Sequence, residues 1–297
     1  MKKQAVALAA LGLMAGWAQA QSSVALYGVV DVALERIKGE TSLARVTSGQ
    51  QQGSRWGLRG TEDLGGGLKA VFLLENGFNA DAGTMGQGGR LFGRQGYVGL
   101  AGNWGALRLG RQYTPMDDIA SIAGTKTYDV VSVVPIIGNG DYNRVDNAIT
   151  YVSPTVANTV FQLQYSLGEE RVSTDPSRRF GQQAELFGGP KLTAYYDVED
   201  KAAKKLSLLG AAVAYPFGAT TVSVGIAQAR NVNGSAAAAS DDARLYTLQA
   251  SHNLSKRTAL YAHYTRVAND EAAALGFNKP LAGSTSSGVQ VGIRHRF

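Results

Sequence analysis

The sequence predicts an all-β fold, an antiparallel β-barrel of the kind that crosses a membrane on its strands. Three observations carry that expectation. Apolar and polar residues alternate along segment after segment, as they do in a strand whose successive side chains point to opposite faces. Glycine is abundant and proline scarce, 37 against 7, which suits many short strands joined by tight turns. Short connections alternate with long polar ones, the layout of a barrel with turns at one rim and loops at the other.

Ahead of the strands lies an export pattern. Lys2 and Lys3 open the chain, a mostly apolar run follows over Gln4–Gly16, and Ala18-Gln19-Ala20 fits a small-residue cleavage site. Residues 1–20 therefore read as a signal peptide and 21–297 as the mature barrel domain. The apolar run is too short for a membrane anchor. Cysteine is absent, so an exported fold of this size must be stabilised by something other than disulfides. The formal charge of +6 falls to +4 without Lys2 and Lys3, with 27 basic against 23 acidic residues. The basic residues are spread rather than clustered, which argues against a nucleic-acid partner.

In SVALYGVVDVALE, Leu26, Gly28, Val30, Val32 and Leu34 share one face, opposite Tyr27, Val29, Asp31, Ala33 and Glu35. SRWGLRGTE sets Trp56 and Leu58 against Arg55 and Arg59, and LKAVFLLE sets Phe72 and Leu74 against Lys69 and Glu75. The alternation returns in VFQLQYS, LLGAAVAYPF, TVSVGIA, YTLQASHNL and SGVQVGIRHRF. Turns fall at Glu62–Gly67, Ala101–Asn103, Pro216–Ala219 and Ser255–Arg257, each short enough for a hairpin.

One stretch breaks the pattern. Thr114–Arg144 lies between GALRLGRQY and NAITYVSP, and a connection of about thirty residues is either disordered or functional. It is too apolar for disorder and carries Asp117, Asp118, Asp129 and Asp141. It reads as a folded loop that packs inside the barrel and presents carboxylates.

Alternation alone fits a soluble sandwich as well as a membrane barrel. Three features favour the barrel: aromatics near the ends of the apolar faces, as interfacial girdles require; polar faces with few large apolar residues, as a wet lumen requires; and a last strand ending in Phe297 after an export leader.

SSVALYGVVDVALE, SRWGLRGTEDLGGGLKAVFLLENGF, GGRLFGRQGYVGLAGNWGALRLGRQY, NLSKRTALYAHYTRV and the terminal VGIRHRF resemble the general diffusion porins of Gram-negative bacteria, of the β-proteobacterial (Burkholderia, Comamonas and Neisseria) type. The likeness is densest over residues 22–113 and 242–297 and thin over 168–205. It implies a sixteen-stranded barrel assembled as a homotrimer, with a third loop folded into the lumen, which Thr114–Arg144 matches in position. It implies wall arginines at Arg55 on the second strand, Arg94 on the fourth and Arg144 just after the loop, facing loop carboxylates among Asp117, Asp118, Asp129 and Asp141. Phe297 becomes part of an assembly signal read by the barrel-assembly machinery. About fourteen strand-like segments are recognisable rather than sixteen. Either two strands hide in the middle, near Phe180–Leu186, or the barrel is reduced, with a hairpin missing between Arg230 and Asp242.

The function implied is passive diffusion of small hydrophilic solutes and ions, with anions favoured, through a water-filled channel in the outer membrane, in contact with lipid and lipopolysaccharide. No cofactor, metal site or catalytic residue is expected. His252, His263 and His295 sit in neither HExxH nor GxSxG settings, with His263 assigned to the lumen face. A barrel with a plugged lumen acting as an adhesin or structural protein, and a barrel hydrolase, are the alternatives. Small residues taken as outward-facing, Gly28, Gly93 and Gly99, are expected to allow close packing between barrels.

Overall fold

The computed structural model describes residues 23–114, 144–156, 160–167, 178–185, 190–200, 205–232, 240–278 and 280–297. The first segments are β1 (Ser23–Lys38), β2 (Ser42–Ser48), β3 (Arg55–Gly65), β4 (Leu68–Asn79), β5 (Thr84–Met85), β6 (Gln95–Gly102), β7 (Gly105–Tyr113) and β8 (Arg144–Val152). The remainder are β9 (Gln162–Ser166), β10 (Arg178–Glu185), β11 (Lys191–Asp200), β12 (Lys205–Phe217), β13 (Thr220–Arg230), β14 (Ala243–Asn253), β15 (Thr258–Asn269) and β16 (Thr285–Arg296).

All pair antiparallel in one sheet of order β10-β11-β12-β13-β14-β15-β16-β1-β3-β4-β6-β7-β8-β9, with β2 on β1 and β5 on β4. Neighbours in the chain are neighbours in the sheet and β1 pairs with β16, so the chain's first and last strands meet within the sheet, whose two ends among the described residues are β9 and β10. The path holds fourteen strands among the described residues. The middle does contain strands, β10 and β11, and β13 pairs directly with β14, with no hairpin between them among the described residues.

The short segments β2 and β5 complete two interrupted strands. The first half of β1 pairs with β3 and the second half with β2, so β2 and β3 act as one strand broken at residues 49–54. Likewise β4 pairs with β6 and, at its far end, with β5, so β5 and β6 are one strand broken at residues 86–94. Both breaks turn inward, because each is held by a carboxylate on the inner face. The Asp31 carboxylate accepts the Gln51 and Gln52 amides at 3.0 and 2.6 Å and the Tyr261 hydroxyl. Asp31 is completely buried. The Ser54 hydroxyl bonds the Asp31 main chain in both directions, 3.0 and 3.1 Å.

Burial is inverted relative to a water-soluble protein. Leu34 is 67% exposed and Leu163 70%, while Asp31, Glu35, Glu75 and Gln290 are buried. Large apolar residues facing outward on nearly every strand form a surface that water does not stabilise and hydrocarbon does. The tight turns, at Gly65-Gly66-Gly67 among others, stand at one rim; the strand ends at Tyr113, Arg144, Arg230 and Ala243 and the β15–β16 connection stand at the other.

The inner face is less uniformly polar than the sequence led us to expect. Near the loop rim Ile37, Ala227, Ala229, Ala243, Leu245 and Val267 form a buried apolar patch, covered by Ala273, Leu275 and Phe277 of the β15–β16 connection. These wall residues share the parity of the inner face, so the connection folds into the barrel mouth. It is well anchored. Asn269 holds Leu275 through both its amide donor and its acceptor, each at 2.9 Å. Asn278 reaches Thr41 of the β1–β2 turn at 2.8 and 2.9 Å. Gly276 has φ +127° and a Cβ there would fall 1.9 Å from the Ser286 hydroxyl, so only glycine fits.

The assignment of small residues to the outside is corrected on two of three counts. Gly28 is outward, but its space is filled: a Cβ would lie 2.3 Å from the ring of Phe297, and the two residues exchange main-chain hydrogen bonds at 3.1 Å. The C-terminal ring thus closes the seam between β1 and the end of β16. Gly93 lies in the inward break, against Gln87 and Arg90. Gly99 shares the inward parity of Tyr97 on β6.

Candidate functional site

Three predicted arginines come together on the inner wall: Glu75 gathers Arg55 and Arg94, and Tyr113 links Arg94 to Arg144. The Glu75 carboxylate lies 3.4 Å from Arg55 Nε and 2.8 Å from Arg94 Nε, and accepts the Tyr27 hydroxyl at 2.8 Å. Arg55 reaches it from the start of β3. Arg94 comes from the last residue before β6, inside the second break, where its own amide bonds the Glu75 carbonyl at 3.2 Å. Gly53 of the first break lies under this guanidinium, since a Cβ there would fall 2.9 Å from Nη1. The two breaks thus deliver neighbouring cations to one carboxylate.

Tyr113 extends the row to Arg144. Its hydroxyl accepts from Arg94 and, at 2.8 Å, from Arg144. Both guanidinium groups also face its ring, at 5.8 and 4.4 Å from the centroid, within cation–π range. Arg144 Nε is buried without an acceptor among the described residues. Three permanent cations therefore stand in a row across β3, β4, β6, β7 and β8, two of them paired with Glu75 and the third tied to them through Tyr113.

A second carboxylate braces the row from outside it. Asp146 accepts Arg90 and Arg111, both at 2.6 Å, and Arg111 also bonds the Gly93 carbonyl at 2.8 Å. This pins residues 86–94, and with them Arg94, to β7 and β8.

Asp117, Asp118, Asp129 and Asp141 lie outside the described residues, as does the interior of the 114–144 stretch. Glu75, Tyr113, Asp31 and Asp146 were not among the predicted site residues. Glu75 stood on the polar face of its strand in the sequence, but alternation does not say which polar residue two breaks of chain will converge on. His263 does face inward, 4.8 Å from the Tyr261 ring. His252 and His295 sit exposed near the turn rim, bonded to Thr220 and Thr258 at 2.8 and 2.9 Å. Among the described residues no three His, Cys, Asp or Glu side chains group as metal ligands.

Glu75→Gln is expected to destabilise the barrel by about 2 kcal/mol, because two neighbouring cations lose their shared counter-charge at a largely buried site. The midpoint of urea unfolding in detergent, followed by tryptophan fluorescence, measures it; an unchanged midpoint would mean that lumen water screens the arginines fully.

An antiparallel sheet whose first and last strands pair, with an apolar outside and a charge-lined inside, is the architecture of a pore-forming β-barrel of an outer membrane. Residues 7–184 and 173–272 match the profile of the Gram-negative porin family, and the chain belongs to that family. It is 32% identical to outer membrane porin protein 32 of Delftia acidovorans, in an alignment covering the whole of both chains. It is 39% identical to an outer membrane porin of Bordetella pertussis over 204 residues, 61% of this chain and 52% of that one. The structure superposes on an anion-selective porin from Comamonas acidovorans with a TM-score of 0.73 and 26% identity, covering 93% of this chain and 100% of the other. The protein is a diffusion porin of the outer membrane.

Proposed function

We propose that the pore prefers anions and that Arg55, Arg94 and Arg144 set the preference at its narrowest level. One observation carries this reading: Glu75 is the carboxylate paired with both Arg55 and Arg94, and Arg144 beside them bonds the neutral Tyr113, so the wall side of the row carries a positive excess among the described residues. An anion approaching it meets donors already held in place by Tyr113 and Glu75, so little reorganisation opposes its passage. The Comamonas porin that superposes on this chain is anion-selective, which agrees.

The aspartates of the 114–144 loop, Asp117, Asp118, Asp129 and Asp141, complete the constriction from the opposite side. Opposed charges then create a transverse field in which polar solutes align and apolar ones lose their hydration without compensation. Transport is passive, with no catalytic step. Residues 1–20 direct export and are removed, and the barrel assembles as a homotrimer in contact with lipid and lipopolysaccharide. Liposome swelling tests the reading. Small uncharged sugars should enter, and organic anions should enter faster than cations of the same size; equal rates for both signs would contradict it.

Phe297 serves the assembly machinery as a signal and the finished barrel as a seal over Gly28. Its deletion is expected to lower the amount of heat-modifiable folded protein in the outer membrane severalfold. Gly28→Val, which displaces the ring but leaves the signal intact, separates the two roles: normal yield with lowered thermal stability assigns the ring to the seam alone at that step.

A further inference from the structure

On the turn side of the arginine row the inner wall carries an apolar strip that a water-filled pore does not need. Alternation from Glu75 places Leu73 and Val71 on the lumen face of β4. Leu73 lies directly between Arg59 of β3 and Tyr97 of β6 in the ladder, and Val71 lies between Thr61 and Gly99, the last paired with Arg108 of β7. Leu73 and Val71 are half-buried, so part of each side chain meets the lumen.

An arginine stands at each side of this strip, and both are held in the same way. The Arg59 guanidinium lies over the Tyr27 ring and that of Arg108 over the Tyr97 ring, each 5.2 Å from the centroid. Neither has an ion-pair partner among the described residues. Stacking on a ring occupies the face of a guanidinium and leaves its N–H edge open, the edge that binds a carboxylate in two parallel hydrogen bonds. Tyr27 also donates its hydroxyl to Glu75, so the Arg59 platform is continuous with the arginine row above.

We infer that this strip is a subsite for carboxylates bearing an apolar body, such as aromatic or branched aliphatic acids. The carboxylate takes the edge of Arg59 or Arg108, and the body covers Leu73, Val71 and the Tyr97 ring, releasing water from apolar surface that the open lumen leaves wet. A small inorganic anion gains only the first of these contacts. The inference rests on the reading of the pore as an anion path and adds the substrate class.

The test uses the full-length mature protein in a planar bilayer, with benzoate and acetate as probes of chloride current. Benzoate is expected to reduce the current saturably at concentrations where acetate does not, more strongly when added from the turn side. Leu73→Asn should weaken that block by about tenfold while leaving chloride current intact. Arg59→Gln with Arg108→Gln should remove it, and Arg59→Lys should restore only part, since lysine lacks the flat fork. Equal effects of benzoate and acetate on the unmodified channel, or an undiminished block in Leu73→Asn, would overturn the inference. A channel with no chloride preference that still shows Leu73-dependent block would support this subsite and overturn the reading of Arg55, Arg94 and Arg144.

Discussion

Replacing Arg94 and Arg144 together by glutamine is expected to abolish the chloride preference and move the zero-current potential in a KCl gradient toward potassium. In the described row Glu75 pairs with Arg55 and Arg94 and Arg144 stands beside them on Tyr113; the double variant leaves Arg55 alone against the carboxylate. A unit charge 4 Å from a passing ion is worth about 1 kcal/mol even at the dielectric of bulk water. Losing two such charges, allowing for salt screening, lowers chloride partitioning by on the order of tenfold. The shift should shrink as salt rises. Tyr113 gives an internal control, since Tyr113→Phe removes a hydroxyl shared by Arg94 and Arg144 but no charge. It should loosen the two side chains and change the potential far less. A double variant that keeps the wild-type potential would mean that selectivity is set elsewhere in the lumen.

Phe277→Ala is expected to release the β15–β16 connection from the barrel mouth and raise single-channel conductance. Phe277 is buried against Ile37, Leu245 and Val267, and deleting a buried phenylalanine side chain costs about 3–5 kcal/mol. The connection is held otherwise by the burial of Ala273 and Leu275 in the same patch and by hydrogen bonds, each contributing roughly 1 kcal/mol. The largest of the three apolar side chains that the segment buries is thereby lost. The barrel wall keeps its ladders, so the folded barrel should still form. Two readouts separate release from general unfolding: faster proteolysis confined to residues 270–284, and a larger conductance with unchanged ion preference. Wild-type conductance together with wild-type protease resistance would show that the segment stays in place without Phe277.

The strands were legible because period-two alternation survives in single segments such as Ser23–Glu35 and Thr258–Asn269, where every second residue meets hydrocarbon. Arg55, Arg94 and Arg144 were legible only through long motifs matching a family; by pattern alone they are three polar residues among many. What alternation could not give is the effect of chain that leaves the ladder. Residues 49–54 and 86–94 look like turns, yet they fold inward because Asp31 and Glu75 offer carboxylates to their amides and to Arg94. Such contacts join residues far apart in sequence, as Tyr261 joins Asp31, and no local signal marks them. The mouth segment was missed for a related reason. Ala273, Leu275 and Phe277 fall in a connection without strand alternation, and only the sheet order shows that Ile37, Leu245 and Val267 line up to receive them. Gly28 shows the converse: its small size was legible, but its occupant, the last residue of the chain, was not.

The central claim is that this barrel is an open pore whose wall arginines favour anions. Single-channel recording of the refolded, unmodified protein in a planar bilayer under a KCl gradient tests it most directly. The account predicts discrete conductance steps and a zero-current potential of the sign set by chloride. A correctly inserted barrel without conductance, or an open one whose potential takes the sign set by potassium, would contradict it.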